Sequence, residues 1–173
     1  MRFDVAPLAA ELAMHPKLWD EHKFRTEHPA SPHREASDIW LRYNDLKHFG
    51  SHFNDAHESV WYPAIAKVPA ARVLAEAMFE TVGGFTLGGV LVTKIPAGKQ
   101  VYPHVDRGWH AEHYEKYAIQ IAGNDGQRFC FAGETLSPLT GQAFWFENQS
   151  PHWVTNDSDE DRITMICCIR RSH

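Results

Sequence analysis

The sequence is short of cysteine, of surplus basic charge and of long apolar runs, and each shortage closes off a class of protein. Its three cysteines, Cys130, Cys167 and Cys168, are odd in number with two adjacent, so no disulfide framework is expected and the chain reads as cytoplasmic. Lys and Arg total 17 against 22 for Asp and Glu, and the formal charge of −5 argues against broad affinity for nucleic acid or anionic membrane. Asp4, Pro7 and Glu11 interrupt the first apolar stretch, and no window nears roughly eighteen apolar residues, so neither signal peptide nor membrane span is expected. There is no P-loop, GxGxxG or GxSxG, which removes nucleotide hydrolysis, Rossmann cofactors and serine hydrolysis. What the chain has in quantity is histidine, twelve in 173 residues, and that count directs attention to a metal.

No repeat, low-complexity tract or long linker divides the chain, so one domain is expected. Its character changes near Gly83-Gly84. Residues 1–84 read as a helical and irregular support region of that same domain. In it, Asp4 can cap a short helix carrying Val5, Leu8 and Leu12, which Pro16 stops. A polar stretch from Asp20 to Ser37 follows, and then Asp38–Tyr43 looks like a strand with Ile39, Leu41 and Tyr43 on one face. Pro69–Glu80 has helical spacing. Residues 85–173 alternate short β-prone runs with turn residues: 85–95, 117–122, 128–131, 142–147, 153–156 and 162–169. Closely spaced strands without intervening helices predict a mainly β fold with N-terminal helices, an antiparallel sandwich or barrel of jelly-roll type.

The most informative segment is Tyr102-Pro-His-Val-Asp-Arg107. Side chains two apart on a strand share a face, so His104 and Asp106 can reach one metal, with His152 as a third ligand from a later strand. Two histidines and a carboxylate on one face leave open positions, the pattern of non-haem iron(II) oxygenases. A His-x-Asp pair in so histidine-rich a chain can also arise by chance. In the last run, Arg162 and Thr164 share a face in an otherwise apolar strand. A dicarboxylate would satisfy them, the guanidinium fork matching one carboxylate. The alternative is a strand-end ion pair of Arg162 with Asp159, Glu160 or Asp161.

Together, three stretches resemble the iron(II)/2-oxoglutarate dioxygenases, and among them the aspartyl/asparaginyl β-hydroxylase group with its bacterial and phage relatives. They are Val92–Asp106 (a Gly-containing turn leading into aromatic-Pro-His), Gly141–Phe146 followed by His152-Trp-Val154, and Asn156–Arg162; the resemblance runs from about Leu87 to Arg170. It implies a double-stranded β-helix, cupin-like barrel over 85–173. It makes His104, Asp106 and His152 the iron ligands and Arg162 the anchor for 2-oxoglutarate, with Thr93 assisting and Lys116 near a second cosubstrate contact. Cofactors would be Fe(II), 2-oxoglutarate and O2, with succinate and CO2 released. The animal enzymes of the group look to lack the carboxylate ligand that Asp106 supplies. That departure sets this chain nearer small bacterial enzymes, some acting on free amino acids.

Arg42, Trp109 and Gln120 are candidate substrate contacts, each with a plainer reading as surface or packing residue. His110 and His113 could compete for metal. The partner expected is a small-molecule or peptide substrate. The competing function is a non-oxygenase cupin-like barrel, an isomerase or small-ligand sensor, which would not need the dicarboxylate anchor at Arg162 and Thr164.

Overall fold

The computed structural model describes residues 1–172 and holds three helices and ten strands among them. Helix α1 (Ala6–Met14) is followed by β1 (Ser37–Tyr43), β2 (Val60–Trp61) and α2 (Pro69–Thr81). Then come β3 (Gly84–Ile95), β4 (Gln100–His104), α3 (Trp109–His113), β5 (Glu115–Ala122), β6 (Gln127–Phe131), β7 (Glu134–Leu136), β8 (Ala143–Phe146), β9 (His152–Asn156) and β10 (Arg162–Arg171). Every pairing is antiparallel, in a six-stranded sheet ordered β2-β1-β3-β10-β5-β8 and a four-stranded sheet ordered β4-β9-β6-β7. Consecutive strands repeatedly change sheets, which is the jelly-roll arrangement. No helix is long and apolar enough to cross a membrane.

Strand alternation divides the large sheet into two working faces. Ile39, Leu41, Val90, Val92, Ile119, Met165 and Ile169 point outward and are buried with Leu8, Leu12, Leu74 and Met78 of α1 and α2. Thus the N-terminal helices cover the barrel's outer face. The inner face, with Ile95, Ala118 and Phe146, meets Val101, Phe129 and Val154 of the small sheet in a second apolar cluster. The candidate site opens from that inner space.

One local irregularity reassigns two residues. Opposite β3, Trp40 pairs with Leu91 but Arg42 pairs with Val90, a β-bulge at Leu41. An extra residue in a strand reverses the alternation beyond it. Tyr43 therefore leaves the face of Ile39 and Leu41 and joins a separate cluster with Phe53 and Tyr62. Arg42 turns to the helix side, donating to Leu87 O at 3.1 Å and lying 5.3 Å from the Trp61 ring centre.

Candidate active site

The two histidines meet because of a proline. Pro103 has no N–H for a ladder, and β4–β9 pairing passes from Val101–Val154 to His104–His152 across an irregularity. His104 and His152 thus stand directly opposite, their ring centres 4.3 Å apart. Each ring bonds through Nδ1 to the carbonyl two residues earlier, Tyr102 O and Ser150 O, both at 2.8 Å. A carbonyl can only accept, so Nδ1 carries the proton and Nε2 presents its lone pair. Asp106 lies just past β4 rather than on it. Its N–H donates to Asn148 O at 3.0 Å, and this turn, not strand alternation, brings its carboxylate inward. The carboxylate is 3.7 Å from His104 Nε2 and 3.8 Å from His152 Nε2.

Burial lowers the pKa of both imidazoles, keeping them neutral at physiological pH. Burial alone would raise Asp106, but the ammonium of Lys116 against its Oδ2 outweighs that and holds the carboxyl below its ordinary range. A third ring, His33, stands 4.6 Å from that of His104.

Behind these groups a polar row crosses four strands of the large sheet. Asp38, Thr93, Thr164 and Gln120 are register partners from β1 through β3 and β10 to β5. Thr93 donates to Asp38 at 2.8 Å and accepts from Arg25 Nη2 at 2.7 Å. Thr164 donates to Gln120 Oε1 at 3.1 Å, and Gln120 Nε2 is fixed by the carbonyls of Ala122 and Ile163. Arg162, across from Ile95, is only 3% exposed. Its Nε and Nη2 have no hydrogen-bond partner among the described residues, and it pairs with none of Asp159, Glu160 or Asp161. Burial with nothing to offset it pushes its pKa down to about 10.

Two cavities adjoin here. The inner one is lined by His104, Asp106, His152, Lys116, Thr93, Thr164 and Arg162, with an apolar wall that includes Phe129 and Phe146. The outer one is lined by Trp40, Tyr43, Leu91, Arg107, His110 and Cys168. Arg25, His33, Asp106 and Lys116 belong to both. All seven residues expected to bind metal or cosubstrate therefore converge on one cavity, though the hydroxyl protons of both threonines are already given to other acceptors. The three expected substrate contacts do not converge. Arg42 faces the helices, Trp109 stacks on His113 with ring centres 4.7 Å apart, and Gln120 is wholly buried behind Thr164. His110 accepts from Gly89 N–H at 3.2 Å and His113 bonds Arg170, so one ring nitrogen of each is already engaged away from the His104 cluster.

Sequence reasoning passed over Arg25 and His33 because both lie in the irregular segment before β1, where no period assigns a face. Asp38 carried a usable signal, an acid on a strand whose other face is apolar. It is 1% exposed and takes Arg25 Nε and Nη2 at 2.7 and 2.9 Å. Removing one member of such a pair strands the other charge, so Asp38→Ala should cost about 3–5 kcal/mol in urea unfolding. A loss below about 1 kcal/mol would show that Arg25 finds other partners.

No curated protein matches this chain. Among solved structures, a 2OG-Fe(II) oxygenase family oxidoreductase from Burkholderia pseudomallei is similar at TM-score 0.59 and 10% identity, over 80% of this chain and 67% of that one. Weaker likeness is seen to a cupin domain from Bordetella pertussis (TM-score 0.39, 14% identity, 47% of this chain and 80% of that one). The first likeness bears on the fold alone, a jelly roll. A family model described as aspartyl/asparaginyl beta-hydroxylase matches residues 9–172, nearly the whole chain, and the protein belongs to that family of hydroxylase enzymes.

Proposed function

We propose that this protein is an iron(II)- and 2-oxoglutarate-dependent dioxygenase that hydroxylates a C–H bond of an amino acid, free or within a peptide or protein, releasing succinate and CO2. One observation carries the reading: a buried arginine with two unpartnered donors shares a cavity with two neutral imidazoles and a carboxylate. A buried guanidinium without an acceptor is costly, and it persists where a ligand completes it. The donor set fits iron(II), since both Nε2 atoms have free lone pairs and the Nδ1–H bonds hold the rings in place.

In this reading His104, Asp106 and His152 hold the metal. Arg162 takes the distal carboxylate of 2-oxoglutarate as a fork, with Thr93 and Thr164 beside it as polar walls. Lys116, paired with Asp106 Oδ2, would orient that carboxylate as a ligand. Phe129, Phe146, Val101 and Val154 keep water from the inner cavity. Iron(II) supplies the oxidative chemistry: O2 is divided between the keto acid, which becomes succinate and CO2, and the substrate C–H, which becomes C–OH. Substrate enters through the outer cavity, where Trp40 and Tyr43 offer apolar contact and Arg107 a cation. Three buried free thiols suit a cytoplasmic protein, and the acidic charge suits a small-molecule or peptide partner rather than nucleic acid.

The test is a thermal-shift and succinate-release assay with iron(II), ascorbate and oxygen, with and without 2-oxoglutarate, and with malonate as control. We expect 2-oxoglutarate to stabilise the metal-loaded protein and to be turned over slowly without substrate. Metal-loaded protein showing neither effect would favour a non-oxygenase barrel of the cupin type.

A further inference from the structure

His33 sits on a loop that belongs to no helix or strand, yet its backbone is tied to the metal-facing strand. Tyr102 N–H donates to Pro32 O at 2.9 Å, His33 N–H to Ser31 Oγ at 3.1 Å and Ala36 N–H to His33 O at 2.9 Å. The Arg34 guanidinium lies 3.5 Å above the Tyr102 ring. These contacts lay the loop along β4, next to His104. One nitrogen of His33, one of His104 and a carboxylate oxygen of Asp106 all fall within 4.8 Å of one another. The His33 ring meets that of His104 edge-on, at 76°, and its Nδ1 is buried with no hydrogen-bond partner among the described residues. A buried nitrogen without a partner, on a ring that itself stands among these metal-ligating groups, leaves the ring short of one bond that a metal would supply.

We infer that His33 is a fourth protein donor to the metal, holding one of the positions that the three other ligands leave open until the cosubstrate takes it. The inference rests on reading His104, Asp106 and His152 as a metal centre. Two histidines and a carboxylate leave three positions on a six-coordinate ion; a chelating keto acid needs two and O2 the third. His33 must therefore yield when 2-oxoglutarate binds. It can do so by side-chain rotation, because the loop is held through backbone atoms and neighbouring residues. Metal retention and cosubstrate binding then oppose each other at one coordination position, which a merely structural role for His33 would not produce.

The experiment is a cobalt(II) titration of the full-length protein, read by visible d–d absorption, for wild type, His33→Ala, His33→Gln and a control, His28→Ala, on the same loop. 2-Oxoglutarate is then titrated into each cobalt-loaded protein. Loss of His33 should weaken cobalt(II) binding about tenfold or more and change the absorption band. It should leave 2-oxoglutarate binding equal or tighter, while the His28 control matches wild type. The glutamine variant keeps side-chain volume and serves if the alanine variant folds poorly. Wild-type cobalt affinity and band in both His33 variants would overturn the assignment while leaving the three-ligand centre standing. Weaker binding of both cobalt and 2-oxoglutarate would reduce His33 to a support residue. Wild-type protein that binds no cobalt(II) would overturn the metal centre itself.

Discussion

Arg162→Met should weaken capture of 2-oxoglutarate by at least an order of magnitude and at the same time raise the melting temperature of the cosubstrate-free protein. Both effects come from one fact: the Arg162 side chain is buried, with Nε and Nη2 unpartnered. If 2-oxoglutarate binds as proposed, those donors meet a carboxylate, and truncating one partner of a desolvated charge pair costs about 2–5 kcal/mol. The 2-oxoglutarate concentration for half-saturation should therefore rise between about thirtyfold and several thousandfold. Without cosubstrate, the same donors are an unmet desolvation cost of about 1–3 kcal/mol. Methionine removes that cost at similar volume, and at about 2–4 °C per kcal/mol the transition should move up by several degrees. Arg162→Lys should fall between, because an ammonium keeps the charge but loses the two-pronged geometry. Calorimetry with and without cosubstrate, beside succinate-release kinetics, reads all three. An unchanged 2-oxoglutarate requirement in Arg162→Met would sink the anchor assignment, whatever happened to stability.

His152→Ala, and equally His104→Ala, should lose metal-dependent stabilisation and reduce turnover more than about a hundredfold, beyond what the loss of a supporting partner costs. Wild-type protein at a hundred times its metal dissociation constant should gain about 2.7 kcal/mol in stability from bound metal. The variants should gain none. They should still fold, because β4 and β9 pair through backbone atoms and Lys116 continues to neutralise the half-buried Asp106. His110→Ala is the informative contrast and should keep the metal-induced shift, since that ring bonds Gly89 N–H in the outer cavity. Far-UV circular dichroism distinguishes loss of a ligand from loss of the fold. Retained metal stabilisation in His152→Ala would remove that residue from the centre.

Much of the barrel was legible because strand alternation is a local property. The final run shows this. Arg162, Thr164 and Ile166 do line the inner cavity and Cys168 the outer one, while Met165, Cys167 and Ile169 enter the helix-covered core. Short elements were not legible. Helix α3 spans five residues and β7 three, too few to display a period. The bulge at Leu41 left no trace in the pattern of apolar residues, and so the packing of Arg42 against the helix side was not legible behind its candidacy as a substrate contact.

The sequence by itself determined the class of fold and the family the chain belongs to, and it singled out His104, Asp106, His152 and Arg162, which the structure places on one cavity. Each of these depends on the pattern of strands or on short motifs, although a turn rather than strand alternation brings Asp106 inward. Only the tertiary structure decided that Arg25 meets Thr93, 68 residues away, that Asp38 lies between them, and that His33 faces His104. Those contacts come from a loop without regular backbone, where residue order sets no side-chain direction. Their positions follow from how the closed barrel and its anchoring hydrogen bonds fix the loop in space.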